Sequence, residues 1–198
     1  LVAQLVPSPF TLEYDQQISD RLADGTLGDL VSVDICHESP ARELLTWREQ
    51  TCYSGNNTLA LGIWYEALLR WATPAKNVAA HAKLHDPYKK AADGSWAIAD
   101  VPDHIELSGE LLQGTTYHMR FSSAVGIPRI EFHLTGTAGR LSFSNNELKH
   151  IDGDHCFHIL SPESQRGWQV EKEFIQSIRY REPVLRTGFH DGLRYMAF

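Results

Sequence analysis

The residues of this chain that could do chemistry fall into a few groups. Trp64, Tyr65 and Glu66 stand together in an apolar run, and Glu66 is the only carboxylate of that run. A glutamate can take or give a proton, whereas an indole only donates a hydrogen bond. His81, Lys83 and His85 alternate along a strand-like segment, and His155-Cys156-Phe157-His158 forms a second cluster. Histidine and cysteine ligate zinc, but Cys-x-His lacks a second pair at a recognised spacing. No metal is expected, and both clusters read as solvated strand-face residues. Tyr88, Trp96 and Asp103 lie in or beside the longest loop. Aromatic rings there suit the C–H face of a sugar or the plain anchoring of a loop. His190 and Arg194 share one face of a late helix with Asp191 nearby. Neither G-x-G-x-x-G nor G-x-x-x-x-G-K-[ST] occurs, and Gly136-Thr137-Ala138-Gly139 reads as a turn between strands.

The element that must position the first group runs from Gly55 to Trp71. It opens on the turn-like Gly55-Asn56-Asn57 and stops before Pro74. Leu59, Ile63, Leu68 and Trp71, flanked by Leu61, Trp64 and Ala67, predict a helix buried on most sides. Gly62 inside it implies close packing or a nearby ligand, since glycine costs a helix about 1 kcal/mol relative to alanine.

Before this helix, Ser8-Pro9 reads as the start of another that stops at Gly25, with Leu12, Ile18 and Leu22 as its stripe. Val31, Val33 and Ile35 alternate with Ser32, Asp34 and Cys36, which predicts a half-buried strand. Trp47 and Tyr53 are expected to anchor the irregular stretch that follows. After the helix come a strand over 77–86, a loop over 89–102 turning at Asp93-Gly94, and strands over 104–112, 115–123 and 129–135. One or two further strands precede a helix over 168–179, with Val170, Phe174, Ile175 and Ile178 inward, and a last helix begins near Gly188. Short connections argue for antiparallel pairing. The fold class is therefore α+β: a large, mostly antiparallel open-faced sheet with helices packed on one face.

The stretch around Gly62 resembles the active-site helix of the GFO/IDH/MocA (glucose–fructose oxidoreductase / inositol dehydrogenase) family, which carries Gly-(Ile/Val)-His-x-x-Asp. Gly62 and Ile63 match; Trp64 stands at the histidine position and Ala67 at the aspartate position. The resemblance extends to Leu1–Pro9, Asp24–Leu30, Val101-Pro102-Asp103, Leu134–Leu141 and Thr187–Ala197. It implies the C-terminal, substrate-side domain of an NAD(P)-dependent oxidoreductase acting on a sugar, cyclitol or related polyol, with no N-terminal Rossmann domain in this sequence. The fold it implies is the dihydrodipicolinate-reductase-like C-terminal domain. Residues 1–198 read as one such domain, cut from a longer chain at both ends. The family's catalytic lysine, in Glu-Lys-Pro, has no counterpart here; Glu182-Pro183 lacks the lysine. No catalytic residue is assigned, with Glu66 as the only replacement. One helical position shifts a side chain by about 100°, which turns Glu66 away from the direction the family uses. Trp64, Tyr65, Tyr88 and Trp96 are the expected substrate contacts. NAD or NADP is implied for the full-length protein and none for this chain alone. The same residues fit a second role: a homologue without the histidine and aspartate that binds a ligand or assembles without catalysing.

Composition excludes several partners. A formal charge of −7 argues against nucleic acid and anionic membranes. Three scattered cysteines, Cys36, Cys52 and Cys156, make no disulfide framework and suggest a reducing compartment, the cytoplasm. No apolar run approaches the roughly 20 residues of a membrane helix. The polar sheet face, with Ser32, Asp34, Cys36, His81, Lys83, His85, Glu106, Ser108, Glu110, His118, Arg120, Arg129, Glu131 and His133, is expected to join copies of the chain into a homo-oligomer.

Overall fold

The computed structural model describes residues 2–55, 60–163, 168–184 and 187–198. Strand β1 (Leu30–Pro40) lies inside an eight-stranded sheet. To one side run β6 (Thr116–Val125), β5 (His104–Leu111) and β2 (Ala75–Lys83). To the other run β7 (Arg129–Gly136), β8 (Gly139–Ser144), β9 (Glu147–Asp152) and β10 (Phe157–Leu160). Every neighbouring pair is antiparallel except β1 with β6, which is parallel. Five α-helices are described: α1 (Asp15–Ala23), α2 (Thr51–Ser54), α3 (Leu61–Leu69), α4 (Val170–Tyr180) and α5 (Phe189–Ala197). The short strands β3 (Tyr88–Lys90) and β4 (Trp96–Ile98) form a separate hairpin.

The alternation of apolar and polar residues divides the sheet into two faces. Val33, Ile35, Met119, Phe121, Phe132 and Leu134 are buried on the inner one. Each such side chain stabilises the fold by about 1.5–3 kcal/mol through area removed from water. Phe132 and Phe143 face each other across β7 and β8 and stack at 5.1 Å. On the outer face, Glu106 lies opposite Arg120, Arg120 beside Cys36, and Cys36 opposite Glu131. Glu38 accepts from Arg129 Nε at 3.0 Å and forms an ion pair with Arg120 at 3.0 Å. The expected outer-face residues therefore share that face in register, except His85. Strand β2 ends at Lys83, and the His85 backbone N–H turns to the Asp103 carboxylate at 2.8 Å.

Several expectations are corrected. The first helix begins at Asp15, not at Pro9, because Thr11 takes a left-handed backbone (φ 68°) that no continuous helix admits. Its stop is as expected: Gly25 follows the C-cap with φ 78°. Helix α3 is shorter than the predicted run, and Asn56, Asn57 and Leu59 lie outside the described residues. The stretch expected as a loop over 89–102 is largely the hairpin β3–β4, which starts one residue earlier at Tyr88. Trp47 and Tyr53 do not anchor the core but are half or more exposed, and Ile175 and Ile178 point outward from α4.

Gly109 on β5 records how tightly β2, β5 and β6 meet. A Cβ there would run into the Asn77 carbonyl oxygen and the Tyr117 ring. That ring is held by its own hydroxyl, which donates to the Asn77 carbonyl at 2.9 Å. Gly109→Ala should therefore cost about 1–3 kcal/mol. Gly126→Ala, where nothing lies within 4 Å, should change stability by less than about 0.5 kcal/mol. Urea unfolding of the two variants beside the wild type checks the difference.

Candidate functional site

Helix α3 is nearly surrounded: Trp64, Tyr65, Glu66, Ala67 and Leu68 are all buried in succession. Each polar atom among them therefore needs a partner inside the protein. The Trp64 indole N–H donates to His37 Nδ1 at 2.9 Å, and its ring stacks on Phe10 with centroids 5.0 Å apart. The Tyr65 hydroxyl accepts from the Ala75 backbone N–H at 3.0 Å, and its ring stacks on Phe198 at 3.7 Å. Ala67 is wholly enclosed and offers no polar group.

Glu66 is engaged by the N-terminal segment and by its own helix. Its Oε2 accepts from the Ser8 backbone N–H at 2.7 Å and lies 3.4 Å from Arg70. Arg70 also pairs with Asp15 at 2.6 Å, and Asp15 accepts from the Trp71 indole at 3.0 Å. This network ties α1, α3 and the N-terminal segment together. Burial pushes the Glu66 carboxyl above its ordinary range; Arg70 and the Ser8 N–H oppose that, and Asp15 and Asp191 add to it. Its Oε1 has no hydrogen-bond partner among the described residues.

A cavity of about 220 Å³ opens beside the start of α3. Its wall holds His37 from β1, Arg42 and Arg48 from the segment before α2, and Asp86, Lys89 and Asp103 around the hairpin. Lys89 is buried and its ammonium pairs with Asp86 at 2.6 Å. The Asp103 carboxylate fixes the chain there by accepting from the backbone N–H groups of His85 and Asp86, each at 2.8 Å. Burial lowers the His37 pKa.

The four expected substrate contacts are not brought together. Trp64 and Tyr65 are 1% and 2% exposed, Trp64 packing behind His37 and Phe10 of the wall, while Tyr88 and Trp96 are 64% and 70% exposed on the hairpin. Of the residues singled out in the sequence, Ile63, Val101, Pro102 and Asp103 line the cavity, and Asp103 is the one among them with a charged side chain. His37 was missed, although the signal was present: strand alternation puts it on the inner face after Val33 and Ile35, where a polar residue stands out. A second hollow, about 170 Å³, lies on the outer sheet face between Asp34, Cys36, His118 and Arg120. Burial pushes the Cys36 thiol up to about 11, which makes it a poor nucleophile. His155 and Cys156 are exposed, and His158 lies 3.6 Å from Asp152. His190 is exposed, and Asp191 caps α5 by accepting from the Gly188 N–H at 2.9 Å. No group of three histidine, cysteine or carboxylate residues able to hold a metal occurs among the described residues, nor does a helix long and apolar enough to cross a membrane.

A family model described as the GFO/IDH/MocA C-terminal domain matches residues 16–142. The chain belongs to this family. No curated protein matches it. Levoglucosan dehydrogenase, solved in complex with NADH and L-sorbose, superimposes with a TM-score of 0.84 at 17% identity, over 98% of this chain and 61% of that one. An oxidoreductase domain protein from Kribbella flavida gives 0.77 at 14% identity, over 94% and 60%. A super-repressor mutant of Gal80p from Saccharomyces cerevisiae gives 0.74 at 12%, over 98% and 61%. At such identities the likeness is one of fold, and the chain spans about three fifths of the length of these structures.

The raised Glu66 pKa fixes a pH dependence. The folded state holds this proton more tightly than the unfolded chain. The Glu66 contribution is therefore most favourable below the ordinary glutamate range and declines as pH rises through the raised value. Glu66→Gln removes that decline while keeping an acceptor for Ser8. The stability difference should move in favour of the variant as pH rises from about 4 to 8. Urea midpoints measured across that range check the sign.

Proposed function

We propose that this chain is the substrate-side and oligomerisation domain of an NAD(P)-dependent oxidoreductase acting on a sugar, a cyclitol or a related polyol. The observation that carries the reading is the cavity beside α3, walled by paired charges and hydrogen-bonding groups, on a fold shared with a dehydrogenase solved with NADH and L-sorbose. The cofactor and the family's lysine would come from outside this chain, and no acid or base is drawn from α3. Trp64 does not exchange protons near neutral pH, Ala67 has nothing to exchange, and Glu66 is held by Arg70 and Ser8. Alone, the chain is expected to turn nothing over.

A second reading is favoured by the same helix. A tryptophan and an alanine buried where the family places its histidine and aspartate suit a homologue that binds a ligand or assembles without catalysing, and a repressor shares this fold. The full-length protein separates the two. With levoglucosan, L-sorbose and myo-inositol as substrates, the first reading expects NAD(P)-linked turnover of at least one. Binding of a polyol without turnover would favour the second. Trp64→His should not raise turnover, because Ala67 cannot orient the new ring; a rise would show that position 64 still faces the reacting carbon.

The outer sheet face is the proposed surface of self-association. Its charges alternate in sign along the cross-strand row from Glu106 through Arg120 to Glu131, a pattern that a two-fold axis tolerates. Light scattering after size exclusion should give a dimer, or a tetramer of such dimers, at tens of micromolar. A clean monomer would refute this part.

A further inference from the structure

The bond between Trp64 and His37 does more than satisfy an indole. A neutral imidazole has one donor and one acceptor nitrogen, and tryptophan can only donate. Since Trp64 donates to His37 Nδ1 at 2.9 Å, Nδ1 must present its lone pair and the ring proton must sit on Nε2. Phe10 packs on the same imidazole with centroids 5.4 Å apart and helps to fix the ring plane. In register, the neighbours of His37 on the flanking strands are Phe121 and Ile130, so no charge faces it from β6 or β7. The Nε2 edge has no partner among the described residues, and His37 lines the cavity.

We propose that His37 is the hydrogen-bond donor by which this cavity recognises an oxygen of a neutral polyhydroxylated ligand, and that Trp64 is the residue that positions it. This rests on the polyol reading above and names the residue that serves it. His37 donates through Nε2–H and has no lone pair there with which to act as a base. Protonation at Nδ1 would break the indole bond, and burial opposes it as well. The charged wall residues are three cations, Arg42, Arg48 and Lys89, and three carboxylates, Glu49, Asp86 and Asp103. That balance favours a neutral ligand over an anion. The Lys89–Asp86 pair places a donor and an acceptor side by side, which suits a hydroxyl group, since it does both. At about 220 Å³ the space is below the range of about 300–1,000 Å³ of drug-sized sites and fits a single small polyol. On this view a tryptophan in α3 supports recognition from behind, through a histidine on the neighbouring strand.

The test is nuclear magnetic resonance on the 198-residue chain with labelled histidine nitrogens and amides. The wild type should show His37 as the Nε2–H tautomer, with its titration lowered from the ordinary histidine value of about 6.5 by burial. Adding D-sorbitol or myo-inositol should shift the His37 Nε2–H signal together with the amides of Lys89 and Ser122. Trp64→Phe should release the tautomer and let the ring titrate nearer the ordinary value. His37→Phe should weaken probe binding about tenfold, the loss of one net hydrogen bond of about 1.4 kcal/mol, while His37→Gln, which keeps an N–H donor, should retain most of it. The wild-type tautomer is read without any variant, so a misfolded substitution does not decide the matter. An Nδ1–H tautomer, or probe shifts at Lys89 and Ser122 without His37, would overturn the inference and leave the polyol reading standing. A cavity in which no signal moves at the solubility limit of either probe would overturn that reading, and this role of His37 with it.

Discussion

From Trp64 to Leu68, helix α3 has no face left for water, and that constraint shapes the molecule around it. Five successive buried residues point in every direction about the axis, since each step turns about 100°. Apolar side chains meet this by packing. The polar ones each draw in a different element: Trp64 holds β1 through His37, Tyr65 holds the start of β2 through Ala75, and Glu66 holds the N-terminal segment through Ser8. Arg70 then joins Glu66 to Asp15 at the start of α1. A buried charge is tolerated only when so paired. One of these contacts, the Trp64 bond to His37, reaches the cavity wall.

The wall is built from parts far apart in sequence. His37 comes from a strand, Arg42 and Arg48 from an irregular stretch, and Lys89 and Asp86 from the approach to a hairpin. Asp103 binds that approach by its backbone alone, through the N–H groups of His85 and Asp86. The charged side chains above it are thereby held on an otherwise loose connection.

The sheet was legible because its signal is local: Val33 and Ile35, Ile105 and Leu107, and Phe132 and Leu134 alternate with polar neighbours, and each pair lies on the inner face. The parallel pairing of β1 with β6 was not legible, because alternation names a face and not a neighbour. The first helix was read too long because Ser8-Pro9 has the chemistry of a helix start, while nothing in the letters marks Thr11 as left-handed. Ile175 and Ile178 have helical spacing, but spacing cannot tell which of two stripes finds a partner. The site was the least legible part. The family motif draws attention to Trp64 and Tyr65, and their residue types alone do not tell a ligand contact from the burial the structure shows. Tyr88 and Trp96 stood out as aromatic, yet the residues lining the cavity there are Lys89 and Asp103, whose roles depend on contacts that sequence spacing does not encode.

The place of β1 in the sheet has a consequence for how the chain reaches its fold. Both of its neighbours, β6 and β7, lie far later in the sequence. During synthesis, which proceeds from the N-terminus, residues 30–40 emerge first and must wait, apolar on one side and unpaired on both edges, until residues 116–136 follow. Pairings of such separation close slowly because the loop entropy is lost before the contacts form. The hairpins β5–β6 and β7–β8 pair with near neighbours and can form early. The oldest strand of the sheet is thus among the last to be seated, inserted between two ribbons that were made after it.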